Sequence, residues 1–464
     1  MHRVSAESQP SGAALTRRTL LRGAAGGAAV LASSGLPAWA RPVTATLAGV
    51  RRPDSLPFPH LPAGHTSMPK IEHVVVLMME NHSFDNLLGM VPYQVPGREL
   101  VDGLTRRKGK FTNVNRDSQG HRVFASSASS PCQLDKLPTQ TWNASHQAYA
   151  DGRNNGFVKA SGPIAMRFWD KHDLPFTYSL VKHFPIGERY FCSVLAQTWP
   201  NRRYLFAGTS SGAVDDKSDA LLTPAANGTI FDRLDQHHVD WGVYYQNVAS
   251  FLIIPGQSSA ARGPRVKTFP QFYTDVAAGR LPAFTFLDPN YDNTSEENPQ
   301  DIQVGEEFVA GVVKALMQAP TWKSTALFLT YDEHGGYYDH VPPPRAIRPD
   351  AIAPIRSPGQ PPLAPGTFNR YGFRVPTVVV SPWAKANYAS RVVQDHTSIT
   401  AFIERKWNLP AMTFRDANAQ PMTDYFDFRH AAFAKPPKLA GAPGLAHGLA
   451  QCRAVGLDNP PLPT

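Results

Sequence analysis

Cysteine is scarce: 464 residues hold three, Cys132, Cys192 and Cys452. Three allow at most one disulfide with one thiol left over, so a disulfide framework is excluded. Zinc-finger spacing is absent too. Cys132 and Cys192 are a candidate pair in an oxidising compartment, with buried free thiols as the equal alternative. Charged residues are also few, at 18%, where about a quarter is usual. The basic ones are scattered rather than striped, which argues against a nucleic-acid partner. Beyond the N-terminal segment, no apolar run is long enough to span a bilayer. No internal repeat is visible.

What is present points to a large globular chain. The composition is 42% hydrophobic with 43 prolines, enough for a large core in one big domain or two. The prolines and the low charge suggest a loop-rich enzyme rather than a helical array. Thr16-Arg17-Arg18-Thr19-Leu20-Leu21 precedes an uncharged Gly/Ala-rich stretch to Trp39, and Ala38-Trp39-Ala40 fits a small-x-small cleavage site. That reads as a twin-arginine export signal over 1–40, and as a periplasmic or secreted bacterial protein. A folded domain is expected over 41–434 and a Pro/Gly/Ala-rich tail over 435–464. The first 40 residues carry four arginines against one glutamate, which leaves about +6 of the formal +9 for the remainder. That balance suits an anionic substrate or transient contact with an anionic membrane surface. The sequence does not set the oligomeric state.

Two apolar runs end in acidic turns. Val74–Met79 runs into Glu80-Asn81-His82-Ser83-Phe84-Asp85, and Ala326–Tyr331 runs into Asp332-Glu333-His334-Gly335-Gly336. Such runs read as central strands of a parallel or mixed sheet, and open α/β sheets bind ligands at the carboxyl ends of their strands. Glu80, Asn81, Asp332 and Glu333 can then converge. Carboxylates gathered in one place repel unless a cation lies among them, so one hard divalent metal is expected, Ca²⁺ or another. The competing reading makes each acid a turn former or helix cap. Val239–Tyr245 and Val375–Val380 read as further strands. Gly305–Gln318 reads as an amphipathic helix with Phe308, Val309, Val312, Val313 and Leu316 on one face. Residues 41–70 look like an extended leader, and about 100–138 like loops and hairpins. Pro342–Phe368, with nine prolines, reads as a long loop.

Thr198 opens Thr198-Trp199-Pro200-Asn201-Arg202. It is either the N-cap of a helix, the reading its spacing favours, or a nucleophile activated by a metal. His146, His340 and His396 each abut an acidic or metal-type motif. A histidine at a helix start, such as His396, can donate to a phosphate oxygen, as can the amides after Thr198.

The Glu80, Thr198 and Asp332 motifs, the last running on to Asp339-His340-Val341, make five with Phe373-Arg374-Val375-Pro376 and Asp395-His396-Thr397-Ser398, and the five stand in an order that resembles one bacterial phosphoesterase family. It contains phosphatidylcholine-hydrolysing phospholipases C and related acid phosphatases. The resemblance spans roughly residues 70–410. It implies an α/β fold of the alkaline-phosphatase and sulfatase type, a central mixed sheet with helices on both faces. It implies one metal held by Glu80, Asn81, Asp332 and Glu333, and Thr198 as nucleophile through a phospho-threonine intermediate. His146 and His396 would bind phosphate or serve the leaving group.

Two departures stand out. Where the family commonly has Ser-Glu-His-Pro, this chain reads Ser295-Glu296-Glu297-Asn298-Pro299, so the histidine becomes Glu297, or Asn298 with a one-residue shift. A second family histidine falls on Gln140. His334 stands where Asn is frequent. Losing an imidazole can remove a general acid. The expected function is hydrolysis of phospholipid phosphodiesters. Phosphomonoester hydrolysis is the alternative, and a non-catalytic exported binding protein is the alternative of another class.

Overall fold

The computed structural model describes residues 49–132 and 138–443. The expected export signal over 1–40, Cys452 and most of the expected tail lie outside the described residues. The first strand is β1 (His73–Met79). Two short hairpins follow, β2 with β3 (Arg106–Arg107, Lys110–Phe111) and β4 with β5 (Val114–Arg116, Arg122–Phe124). Then come β6 (Ser126–Ser127), β7 (Arg167–Phe168), β8 (Ile186–Gly187), β9 (Trp241–Tyr245) and β10 (Val266–Thr268). The last strands are β11 (Phe284–Asp288), β12 (Thr325–Tyr331), β13 (Thr377–Val380) and β14 (Ala389–Ser390).

Eight of these strands form the central sheet, in the order β10-β9-β11-β1-β12-β13-β8-β14. β1 runs parallel to β11 and β12, while β13 is antiparallel to β12 and to β8. The expected mixed sheet is therefore observed. Val74–Met79 and all of β12 are buried, as a strand must be when both faces of its sheet are covered. Each such apolar side chain contributes roughly 1.5–3 kcal/mol when taken from water.

Helices cover the sheet in two groups that pack among themselves. Thr198–Ala207 contacts His396–Trp407, and Phe269–Ala277 contacts Ile302–Gln318. The latter starts three residues before the expected Gly305, because the Asp301 carboxylate caps it by accepting from the Gln303 amide at 2.8 Å. Its five expected apolar positions are buried. Residues 342–368 form no helix or strand, as their prolines dictate.

The 49–70 stretch lacks regular structure but is tied down, with Asp54 N donating to Ala411 O and Ser67 N to Lys406 O, both at 2.8 Å. Cys132 is disulfide-bonded and Cys192 is a free buried thiol, so the candidate Cys132–Cys192 bond does not form.

Candidate active site

The parallel register that pairs Met79 with Tyr331 sends the next residues off adjacent strands at one level. Glu80, Asn81, Asp332 and Glu333 therefore arrive together. The Asn81 amide donates to Asp332 Oδ1 at 3.2 Å, and the Glu333 amide donates to the same oxygen at 2.7 Å. Asn81 sits at φ +67°, a left-handed conformation that is costly for most residues and clusters at functional sites. Gly335 is required for the chain to pass: a Cβ there would meet the Asn81 carbonyl at 1.9 Å. The Gly335 amide donates to Glu333 Oε2 at 2.8 Å.

The helix Thr198–Ala207 starts over these strand ends. Its N-cap is Gln197, so Thr198 is the first helical residue and not the cap that its spacing favoured. The Thr198 hydroxyl instead donates to Asn81 Oδ1 at 3.4 Å. The Trp199 amide donates to Asp216 Oδ1 at 2.8 Å, so this expected anion donor already has an acceptor.

Arg202 lies one turn on, where i and i+4 share a face. Its Nε donates to Asp332 Oδ2 at 2.9 Å and its Nη1 to Asp288 Oδ1 at 3.3 Å. Its Nη2 reaches the Met78 and Met79 carbonyls, each at 3.2 Å. Neither Arg202 nor Asp288 belonged to the sequence-derived set.

Acid outnumbers base here. Glu80, Asp332, Glu333, Glu297 and Asp216 influence one another electrostatically, and Arg202 is hydrogen-bonded to one of them, Asp332. Burial lifts Glu80 well above the usual carboxylate range, and Glu297 and Asp332 add to it against Arg202. Burial likewise lifts Glu333, helped by Asp332. Burial and Asp332 push Glu297 up to about 7. Glu80 Oε2 and Glu333 Oε1 are buried and find no hydrogen-bond partner among the described residues. Unpaired buried carboxylate oxygens cost free energy unless a cation meets them. Carboxylate and amide oxygens are the donors a hard divalent cation takes, so the residues present fit one.

The chain answers one of its own departures. Glu297 hydrogen-bonds Asn81 and lies beside Asp332, whereas Asn298 Oδ1 accepts from the Tyr337 hydroxyl at 2.7 Å. The position facing the cluster is thus a carboxylate.

The histidines fall in different places. His396 lies beneath the cluster: its Nε2 meets the Asp332 carbonyl at 2.7 Å and its Nδ1 meets the Tyr190 hydroxyl at 3.1 Å. Both nitrogens are engaged within the protein, and burial lowers its pKa to about 4. It is neutral and holds the Asp332 main chain, in place of the expected free phosphate donor. His146 contacts Trp142 and lies beside Gly366. Its ring lies tilted by 35° against Trp142 at 4.1 Å between centroids, its Nδ1 meets the Trp142 carbonyl at 2.8 Å, and Gly366 passes close to its Nε2. Trp142 packs with Val194, Ala196 and Tyr204, so His146 flanks the segment leading to Thr198. His334 Nδ1 contacts Glu333 Oε2 at 3.1 Å.

A second acidic group lies nearby. Asp85, Asp339 and His340 bring one ligand atom each within 4.8 Å of one another, a tighter gathering than the predicted four achieve. This trio has its cations built in. Arg374 reaches Asp339 at 2.8 Å and Asp85 at 3.1 Å, and His340 contacts Asp85 at 2.7 Å and Asp102 at 2.9 Å. Burial opposes protonation of His340, yet Asp85 and Asp102 raise it to about 10. An imidazolium donates through both nitrogens and offers no lone pair to a metal.

A model of the Phosphoesterase family matches residues 71–410. Non-specific phospholipase C1 of Arabidopsis thaliana is 30% identical over 408 residues, 81% of this chain and 74% of that one. Phospholipase C A of Mycobacterium tuberculosis is 28% identical over 438 residues, 82% of this chain and 80% of that one. Among solved structures, an alkaline phosphatase superfamily protein from Vibrio parahaemolyticus is similar at a TM-score of 0.36 and 10% identity, over 77% of this chain and 71% of that one.

Proposed function

The chain belongs to the Phosphoesterase family, and on that premise we propose that it is an exported, metal-dependent phosphodiesterase of the phospholipase C type. The observation that carries the metal is the pair of unpartnered buried oxygens, Glu80 Oε2 and Glu333 Oε1, among clustered carboxylates. Glu80, Asn81, Asp332 and Glu333 would hold the cation. Once bound, it supplies charge neutralisation and lowers the pKa of a hydroxyl it touches. Thr198 is the nucleophile, its hydroxyl oriented by Asn81 Oδ1. A bond forms from Thr198 Oγ to phosphorus as the bond to the departing alcohol breaks, and water then cleaves the phospho-threonine. Arg202 fixes Asp332, and His396 fixes its main chain. Export through Arg17-Arg18 agrees with a disulfide at Cys132, a bond suited to an oxidising compartment.

Glu297 favours the diester over the monoester. A carboxylate at this position repels a dianionic phosphomonoester more than a monoanionic diester. The test compares p-nitrophenyl phosphorylcholine with p-nitrophenyl phosphate, each with and without chelator. Chelator-sensitive turnover of the diester in excess of the monoester is expected, with Glu297→His shifting the ratio towards the monoester. Equal turnover of neither substrate, with or without added metal, would leave a binding protein in place of an enzyme.

A further inference from the structure

A strongly basic surface is carried by the two hairpins between residues 105 and 124. This stretch holds Arg106, Arg107, Lys108, Lys110, Arg116 and Arg122 against one acid, Asp117. All six bases are exposed. Their arrangement is not that of a merely solvated face. Arg107 stands directly opposite Lys110 in the first hairpin, and Arg116 directly opposite Arg122 in the second. Like charges facing one another across strands destabilise a hairpin, and ordinary surface patterning interleaves the signs. An anionic partner removes that repulsion.

The second hairpin also shows apolar groups to solvent. Val114 pairs with Phe124 in the register that pairs Arg116 with Arg122, so all four side chains share one face. Val114 is 36% and Phe124 45% exposed. The other face is turned inward, with Asn115 buried and donating to the Asn154 carbonyl at 3.2 Å. Beside the first hairpin, Arg106 lies over the ring of Tyr93 at 5.3 Å, and Tyr93 is itself 46% exposed.

The hairpins hang from the loop that carries Asp332 and Glu333. Asn113 Nδ2 donates to the Tyr338 hydroxyl at 3.5 Å, and Asn154, which Asn115 holds, donates to the Asp339 carbonyl at 3.0 Å.

We propose that the β2–β3 and β4–β5 hairpins form a docking face for an anionic lipid bilayer, with Arg107, Lys110, Arg116 and Arg122 meeting headgroup phosphates and Val114 and Phe124 entering the acyl boundary. The charge is complementary, and basic side chains close to an anionic leaflet each add to binding. An exposed aliphatic–aromatic pair flanked by guanidiniums matches the headgroup–acyl boundary, whereas a nucleic-acid backbone offers such a pair no apolar surface. The inference rests on the phospholipase reading for its purpose but not for its measurement.

The test uses the full mature chain with vesicles of pure phosphatidylcholine and vesicles containing about one-third phosphatidylglycerol. Wild type is expected to sediment with the anionic vesicles, to be released by high salt, and to ignore the neutral ones. The variant Arg107→Gln/Lys110→Gln/Arg116→Gln/Arg122→Gln should bind at least about 100-fold more weakly, while its turnover of soluble p-nitrophenyl phosphorylcholine stays at the wild-type level. Phe124→Ser should weaken vesicle binding with the same soluble turnover. Binding of the quadruple variant equal to wild type would overturn the docking face, as would tighter wild-type binding to duplex DNA than to anionic vesicles at equal salt. Soluble turnover without vesicle binding sinks the docking face alone. Vesicle binding without any turnover sinks the phosphodiesterase reading alone.

Discussion

Two acidic groups lie at the two ends of the same motifs and meet opposite fates. Asp85 and Asp339 are gripped by Arg374 and by an imidazolium at His340. Glu80, Asp332 and Glu333 have Arg202, which binds Asp332 and Asp288 and leaves two glutamate oxygens bare. Both groups are buried. The difference is whether the chain carries the counter-charge itself. Where it does, the acids brace loops: Asp85 Oδ2 accepts from the His340 amide at 2.8 Å and joins the first motif to the second. Where it does not, one oxygen each of Glu80 and Glu333 stays unpaired, and burial lifts both carboxyls above their usual range. The tighter cluster therefore carries its own counter-charge, and the looser, under-neutralised cluster is the one at which we propose a cation.

That contrast breaks most sharply at Thr198, which belongs to the under-neutralised cluster. Thr198→Ala should lower diesterase turnover by more than about 10³-fold, since losing a nucleophile removes a unit of the machinery. Melting temperature should not move, because the hydroxyl caps nothing. Thr198→Ser keeps the hydroxyl and should retain part of the activity. Wild-type turnover in Thr198→Ala would instead hand the attack to water.

Next in size is an exchange between stability and binding. Arg374→Ala strands two buried carboxylates and should cost about 3–5 kcal/mol, the usual penalty for unpairing a buried charge. Glu333→Gln removes a charge from a mutually repelling group, so in chelator its denaturant midpoint should equal or exceed that of wild type. Added divalent cation should raise the melting temperature of wild type and not that of Glu333→Gln, since a ligand stabilises only the form that binds it. A strongly destabilised Glu333→Gln, paired with a tolerant Arg374→Ala, would invert the comparison.

The strand ends were legible because Val74–Met79 and Ala326–Tyr331 are unbroken apolar runs that stop at acids, and their parallel register did the rest. The helix Ile302–Gln318 was legible from its periodicity. The residues that were missed arrive from elsewhere in the fold. Arg202 was within reach, one turn beyond Thr198. Asp288 carries the same signal as Asp332, an acid ending the apolar strand Phe284–Asp288, but that strand is short and went unread. Asp216 gives no local signal at all: it sits in a loop and matters only because the loop folds back to the Trp199 amide. His396 was placed correctly at a helix start, yet its ring turns inward to Tyr190 and Asp332, which only the tertiary arrangement decides. The Cys132–Cys192 pairing failed for the same reason, since nothing in spacing shows that Cys192 is walled in beside Gly372.

The smallest effect concerns the self-neutralised cluster and tests its cation directly. His340 is raised from an ordinary 6.5 to about 10 by Asp85 and Asp102. A group raised on folding binds more protons in the native state than in the unfolded one throughout that interval. Its contribution to stability is complete below pH 6.5 and disappears as pH climbs through about 10. Between those limits the stability of wild type should fall by up to about 1.4 kcal/mol per pH unit, the slope for one proton. His340→Gln cannot take up that proton, so its denaturant midpoint, lower at neutral pH, should lack this part of the fall, and the gap between the two curves should close towards the alkaline end. Parallel curves for the two proteins would mean that His340 is neutral in the folded chain. Its two ring nitrogens could then not both donate to Asp85 and Asp102, and the trio would again have a lone pair to offer a metal.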